Sequence, residues 1–269
     1  MRILIRTSRW AIWARRLGAL SIPLVVIAVL LHREDLIASN VFNVVAALAL
    51  VVAAGAVIAA VIALARLWWT GDQGWKLALS GLFFALVALL PFAWYGNLAL
   101  RYPPVTDIAT TDRATLPLVF DATTMAMPTP RMLTAADMAR VFPNVETRTY
   151  PLGMQQTFAL VRRLVEERGW EVRTLIEPSA ELSPGRINAR IVTPAGWREE
   201  AVIRVEGTET DAKVDMRSAS RNALHDFGSN GLRIEEFLGA LDDAVTGLLR
   251  DNPNANLPVE ADEPEPAAN

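Results

Sequence analysis

The residues best suited to chemistry lie in one stretch near the end of the chain. Ser218 and Ser220 are followed by His225 and Asp226, which are the residue types of a serine hydrolase. Adjacent His and Asp side chains rarely orient one another, however, and the stretch contains no Gly-x-Ser-x-Gly elbow for a nucleophile. Hydrolysis is therefore the weakest of three interpretations of this stretch.

The same stretch combines acids and hydroxyls with three arginines. The candidate network is Asp215, Arg217, Ser218, Ser220, Arg221, Asp226, Asn230 and Arg233. In the first interpretation it is structural: the arginines pair with Asp215 and Asp226 and fix how the sheet meets the last helix. In the second, arginines and hydroxyls near a helix N-terminus bind an anionic group of an envelope lipid, glycan or peptide.

Metal and redox chemistry have little support in this composition. The chain has no cysteine, which excludes disulfides, thiol nucleophiles and thiolate metal sites. Its two histidines, His32 and His225, lie on different segments, so only carboxylate metal sites remain. We therefore expect no catalytic residue, no bound metal and no cofactor.

Hydrophobic periodicity predicts the elements that position this stretch. The predicted order is a helix at 155–168, strands at 170–177, 186–193, 200–206 and 211–218, and a helix at 231–250. Gly207–Thr210 reads as a hairpin connection between the last two strands. This order predicts an α+β fold, an antiparallel sheet packed against helices as a two-layer sandwich.

The segments that flank this predicted domain, 153–250, differ from it in composition. Residues 101–152 contain seven prolines and predict an extended segment docked on the domain, with one short helix at Ala135–Val141. Residues 251–269 are acidic and rich in proline, which predicts a disordered tail.

Several motifs in this half of the chain resemble one family. They are Tyr102-Pro103-Pro104-Val105-Thr106-Asp107-Ile108, Gly169-Trp170, Val214-Asp215-Met216-Arg217-Ser218-Ala219-Ser220-Arg221, Asp226-Phe227-Gly228-Ser229-Asn230 and Arg233-Ile234. Residues 101–250 resemble the domain of unknown function 1499, found in bacteria and plastids. The resemblance supports the domain boundary and marks the signature residues, but it implies no established activity.

The first hundred residues have the composition of a membrane region. The uncharged hydrophobic runs are Leu17–Leu31, Val44–Ala65 and Leu77–Leu100. About 20 apolar residues in a helix cross the hydrocarbon core, so we predict membrane helices at about 11–31, 44–65 and 77–100. None of the three uncharged runs contains Asp, Glu, Lys, Arg or His, which disfavours a transporter or pump.

Charge predicts the orientation of these helices. Residues 1–16 carry five arginines and no acid, so the N-terminus is expected in the cytoplasm and everything after Leu100 outside. Six of the eight tryptophans lie in the first 100 residues, as an interfacial belt requires. Residues 101–269 hold 18 basic and 26 acidic residues, a charge that disfavours nucleic acid as a partner.

These observations together predict a polytopic protein of the bacterial inner membrane with a periplasmic domain. Its expected role is binding or scaffolding at the cell envelope, and the alternative is a membrane-anchored hydrolase acting on envelope material. The expected partners are the lipid bilayer and an envelope protein or lipid. Gly55, Ala59 and Ala63 form a small-residue stripe that allows close helix packing, within a three-helix hairpin or in an oligomer.

Overall fold

The computed structural model describes residues 6–119, 129–179, 183–220 and 223–255. Most of the predicted acidic tail, from residue 256 on, therefore lies outside the described residues. The chain divides into two compact units. The first contains the residues up to Pro103 together with Val192–Trp197, and the second contains 104–191 and the residues from 198 on.

The first unit consists of three long helices. They are α1 (Arg9–Arg33), α2 (Ser39–Thr70) and α3 (Trp75–Arg101). Each is long and apolar enough to cross a membrane, which confirms the three predicted spans. All three begin before and end after the uncharged runs, because polar residues at the ends of a run can still continue the helix into the interface.

Small residues bring these helices into close contact. A Cβ atom built on Gly18 would lie 2.3 Å from the carbonyl oxygen of Gly81, and one on Gly81 would lie 2.4 Å from the carbonyl carbon of Ala14. Ala59 and Ala63 of the predicted stripe are buried, and they pack against Ala14 and Ala11 of α1. These stripe residues therefore serve packing within the three-helix unit.

The turn Val192–Trp197 belongs to this first unit and meets the end of α1. His32 is buried, and its Nδ1 lies 2.8 Å from the carbonyl oxygen of Ala195. Its ring stacks on Phe42 at 4.4 Å and meets Trp197 edge-on at 5.0 Å. His32 is thus a packed and hydrogen-bonded structural residue.

The second unit is built on a six-stranded antiparallel sheet. Its strands are β1 (Asp107–Ala109), β2 (Arg148–Tyr150), β3 (Glu171–Ile176), β4 (Gly185–Val192), β5 (Arg198–Gly207) and β6 (Ala212–Ser220). The order is β1-β6-β5-β4-β3, and β2 also pairs with β6. Helices α4 (Ala135–Val141), α5 (Met154–Glu167) and α6 (Ser229–Asp251) complete the unit. The predicted α+β class is confirmed, as is the short helix at Ala135–Val141.

The apolar faces of α5 and α6 explain this arrangement. Phe158 and Val161 of α5 are buried, as are Phe237 and Leu241 of α6, each pair spaced to lie on one helix face. Contacts of α5 with β5, and of α6 with β6, place both helices against the middle of the sheet.

The sequence predicted four strands, and the described residues form six. The additional strands are β1 and β2, which contain three residues each and lie in the proline-rich segment. Three residues cannot show a period of two, so no sequence pattern indicates them. They are strands because β6 offers them backbone partners, Ile108 opposite Ser218 and Thr149 opposite Lys213.

Candidate functional site

The central strand β6 divides the candidate network between the two faces of the sheet. Successive residues of a strand point to opposite faces. Ser218 and Ser220 accordingly contact Asn230 at the start of α6, while Asp215 and Arg217 contact residues of the segment before α4. The stretch that looked like one network in the sequence is two separate clusters.

The cluster on the helix face is centred on Glu199, at the start of β5. Ser220 Oγ donates to Glu199 Oε1 at 2.7 Å, and Ser229 Oγ donates to the same oxygen at 2.6 Å. The guanidinium of Arg233 pairs with Glu199 Oε2. Glu199 is only 2% exposed, so this carboxylate is compensated entirely by protein groups.

The other members of this cluster are joined through Asn230. Ser218 Oγ donates to Asn230 Oδ1 at 2.8 Å and accepts from Arg233 Nη1 at 2.8 Å. Asn230 Nδ2 donates to Ser220 Oγ at 2.9 Å and to Asp226 Oδ2 at 2.9 Å. The side chain of Asn230 therefore connects β6 with the start of α6.

Asp226 caps α6 at the edge of this cluster. Its Oδ1 accepts from the backbone N–H of Gly228 at 2.9 Å, and its Oδ2 accepts from that of Asn230 at 3.3 Å. Gly228 has φ +83, in the left-handed region that favours glycine. Burial raises the pKa of the Asp226 carboxyl to about 6, and the nearby Glu199 carboxylate acts in the same direction.

On the opposite face, Asp107 of β1 holds two arginines. Arg217 donates to both carboxylate oxygens of Asp107, from Nε at 3.0 Å and from Nη2 at 2.8 Å. Arg113 Nε donates to Asp107 Oδ2 at 3.1 Å. Arg217 also donates to the backbone oxygen of Leu116 at 2.9 Å, so the pair ties β1 and the following turn to β6.

Asp215 forms a separate contact on this face. Its Oδ1 accepts from Thr110 at 3.2 Å and from Thr147 at 2.5 Å. Its Oδ2 lies 3.4 Å from Lys213 Nζ, and the Asp215 carboxylate raises the pKa of Lys213. These contacts connect β6 with the chain that follows β1 and the chain that precedes β2.

The sequence named several residues of these clusters but paired the arginines wrongly. Arg217 was expected to pair with Asp215 or Asp226, and it pairs with Asp107. Arg233 was expected to pair with the same two acids, and it pairs with Glu199. Both expectations considered only carboxylates nearby in sequence, whereas the sheet supplies partners from β1 and β5. The predicted role of Arg221 lies outside the described residues.

Asp107 and Glu199 are the two carboxylates that pair with the network arginines and that the sequence reasoning missed. Asp107 was present in the family-like motif Tyr102–Ile108, which gave a signal for the residue but none for its partner. Glu199 stands beside Glu200 at the start of β5, and both side chains are buried at 2% exposure. Two acids at a strand start carry no sequence signal of burial, because such residues are usually exposed.

The geometry limits the chemistry of both serines. The hydroxyl proton of Ser218 is donated to Asn230 and that of Ser220 to Glu199, while His225 Nδ1 accepts from the backbone N–H of Phe227 at 2.9 Å. Ser218 is 0% exposed and Ser220 is 4% exposed. A substrate has no access to a hydroxyl buried to this extent.

One open cavity adjoins the helix-face cluster. It has a volume of about 300 Å³ and is lined by Arg168, Trp170, Ser229, Leu232, Arg233 and Glu236. Trp170 stacks on Phe237 at 5.4 Å, which fixes one wall. Arg233 reaches this cavity with 12% of its side chain exposed and with its charge already paired by Glu199.

No group of three or more possible metal ligands occurs among the His, Cys, Asp and Glu residues that the structure describes. The buried carboxylates Asp107, Asp215 and Glu199 each face guanidinium, ammonium or hydroxyl donors. Such donors compensate the carboxylate charge themselves.

Three membrane-spanning helices and an α+β domain with a buried polar network define the class of this protein. It is a membrane protein with three apolar helices and a folded α+β domain. The model of the family described as "Protein of unknown function (DUF1499)" matches residues 121–241, in agreement with the resemblance that the motifs showed. No curated protein and no solved structure matches the chain.

Proposed function

We propose that this chain is an inner-membrane protein whose domain lies on the periplasmic side and acts there without catalysis, by binding or scaffolding envelope components. One observation carries the non-enzymatic role. Ser218 and Ser220 are buried, and their hydroxyl protons are donated to Asn230 and Glu199, so neither serine is free for nucleophilic attack; Arg217 and Arg233 are each paired with a buried carboxylate of the domain.

The proposed orientation is supported by the distribution of basic residues. The start of α1 and the α2–α3 connection lie on the same side of the membrane if the chain crosses it three times. The basic residues on this side are Arg9, Arg15, Arg16, Arg66 and Lys76, and within residues 9–76 the only acid on this side is Asp72. Basic residues next to membrane helices favour the cytoplasmic side. With three crossings, the chain after α3 then emerges in the periplasm.

Reporter fusions test the orientation. A reporter that is active only in the periplasm should work when fused after residue 110 or after residue 250, and it should be silent when fused at Gly71. Activity at Gly71 with silence at 250 would reverse the orientation. The Gly71 fusion is the internal control, since it lies in the connection between α2 and α3.

Copurification tests the binding role. The full chain, extracted from native membranes under mild conditions, should retain a defined envelope protein or lipid, identified by mass spectrometry. The double variant Ser218→Ala and Ser220→Ala should retain the same material, because neither hydroxyl is accessible. Loss of a hydrolytic activity on envelope material in that variant, with its fold intact, would instead establish the hydrolase.

A further inference from the structure

Strand β3 forms one edge of the sheet. Among the described residues its six members pair with β4 alone, which leaves the backbone groups on its other side without a strand partner. Such an edge is a template for pairing with a further strand. The domain therefore presents an extended binding edge that the buried network does not use.

Three of the six side chains at this edge are apolar and exposed. Val172, Leu175 and Ile176 are 41%, 40% and 42% exposed. Val172 lies opposite Ala189, and Leu175 lies opposite Ile187, and these two partners on β4 are fully buried. Because directly opposed residues share a face, the apolar core face of the sheet continues to the edge and stops there uncovered.

A shift in register makes the strand complementary to itself. The pairing of β3 with β4 shifts by one residue between Val172 and Thr174. This shift places Val172 and Leu175 on the same face although they are three residues apart. A two-fold axis between Arg173 and Thr174 would therefore set Val172 of each copy opposite Leu175 of the other, on that face.

We propose that β3 is a homodimer edge, where a second copy of this chain adds its own β3 antiparallel to the first and continues the sheet. The inference rests on the proposed scaffolding function, to which it adds the partner. In this register Arg173 faces Thr174 and Glu171 faces Ile176, so no like charges are opposed. The contact is isologous, so it closes at two copies and forms no fibre.

The membrane helices explain how such a small contact suffices. A six-residue strand buries much less than the roughly 1,600 Å² of a standard interface, so the dimer is weak in dilute solution. Anchoring both copies in one bilayer raises their effective concentration and favours the pairing. Dimers are accordingly expected in native membranes and are lost on dilution in detergent.

The absence of cysteine from the sequence permits a direct test. In Thr174→Cys the two introduced thiols flank the proposed axis, within the Cα separation of about 4.4–6.8 Å that a disulfide needs. Thr210→Cys, at the exposed β5–β6 turn, is the matched control. Oxidation of native membranes with copper phenanthroline should give a disulfide-linked dimer with Thr174→Cys and none above background with Thr210→Cys.

Charge substitution tests the apolar contact. Adding Leu175→Lys to Thr174→Cys should lower the association constant about tenfold, equivalent to about 1.4 kcal/mol, and reduce the yield of crosslinked dimer. Leu232→Lys is the matched control, since Leu232 is 41% exposed and lies on α6, outside the sheet. If Leu175→Lys makes the domain sensitive to proteolysis, Val172→Lys is used in its place.

The outcomes separate this inference from the proposed function. If Thr174→Cys forms no more dimer than Thr210→Cys, and envelope material is still retained on copurification, the inference alone is overturned. A Thr174→Cys dimer with no retained material overturns the binding role and leaves the pairing. A crosslink of Thr174→Cys to a different protein in place of the homodimer also overturns the inference.

Discussion

Removal of the Asp107 carboxylate should destabilise the domain more than removal of either arginine that it holds. Asp107 is 1% exposed and accepts from both Arg217 and Arg113. Asp107→Ala leaves both guanidiniums without their counter-charge. Breaking a buried pair from one side costs about 3–5 kcal/mol, and we expect Asp107→Ala to lie in that range.

The two arginine substitutions should be milder, in a defined order. In Arg217→Ala the carboxylate keeps Arg113, and the loss is that of hydrogen bonds to a charged group, about 1.5–3 kcal/mol. Arg113 is 30% exposed, so Arg113→Ala should cost about 1 kcal/mol or less. Asp107→Ala combined with Arg217→Ala should cost less than the sum of the two single changes.

Pulse proteolysis in urea, applied to the full chain in native membranes, measures these differences in the free energy of unfolding. Glu167→Ala is the matched control, because Glu167 is 58% exposed and pairs with an exposed Arg163. Its expected cost is about 0.5 kcal/mol or less. A cost for Arg217→Ala equal to or above that for Asp107→Ala, or strict additivity of the two, would refute the reasoning.

Two further predictions concern the helix cap and the membrane helices. Folding raises the pKa of Asp226 from 3.8 to about 6. Protonation of this carboxyl therefore stabilises the folded domain fully below pH 3.8, and this stabilisation of about 3 kcal/mol is lost as pH rises through 6. Asp226→Asn should therefore remove part of the loss of stability between pH 4 and pH 7 in the same proteolysis assay, and an unchanged pH profile would contradict this. Gly81→Val should destabilise the three-helix unit by about 1–3 kcal/mol or more, since its Cβ would meet the backbone of α1. Gly96→Val on the same helix has open space and should leave the amount of protein in the membrane unchanged; equal losses for both would contradict the packing.

Membrane spans and the longer elements of the domain follow from the sequence because they are local. The three helices are set by runs of about 20 apolar residues, and the domain's long helices and strands by apolar periods that a single segment carries. The helix at Ala135–Val141 was likewise predicted, since it is a short run of helix-forming residues between prolines. The match to the family model was likewise anticipated from short motifs, each of which is a local stretch of the chain.

Tertiary structure alone decided which charges meet. Asp107 and Arg217 are 110 residues apart and share a face only because β1 pairs with β6, and a three-residue strand has no pattern of its own. Glu199 meets Ser220 because they are opposed in the β5–β6 register. Sequence reveals which residues are polar, but the partner of a buried charge depends on strand order and register, which are properties of the whole sheet.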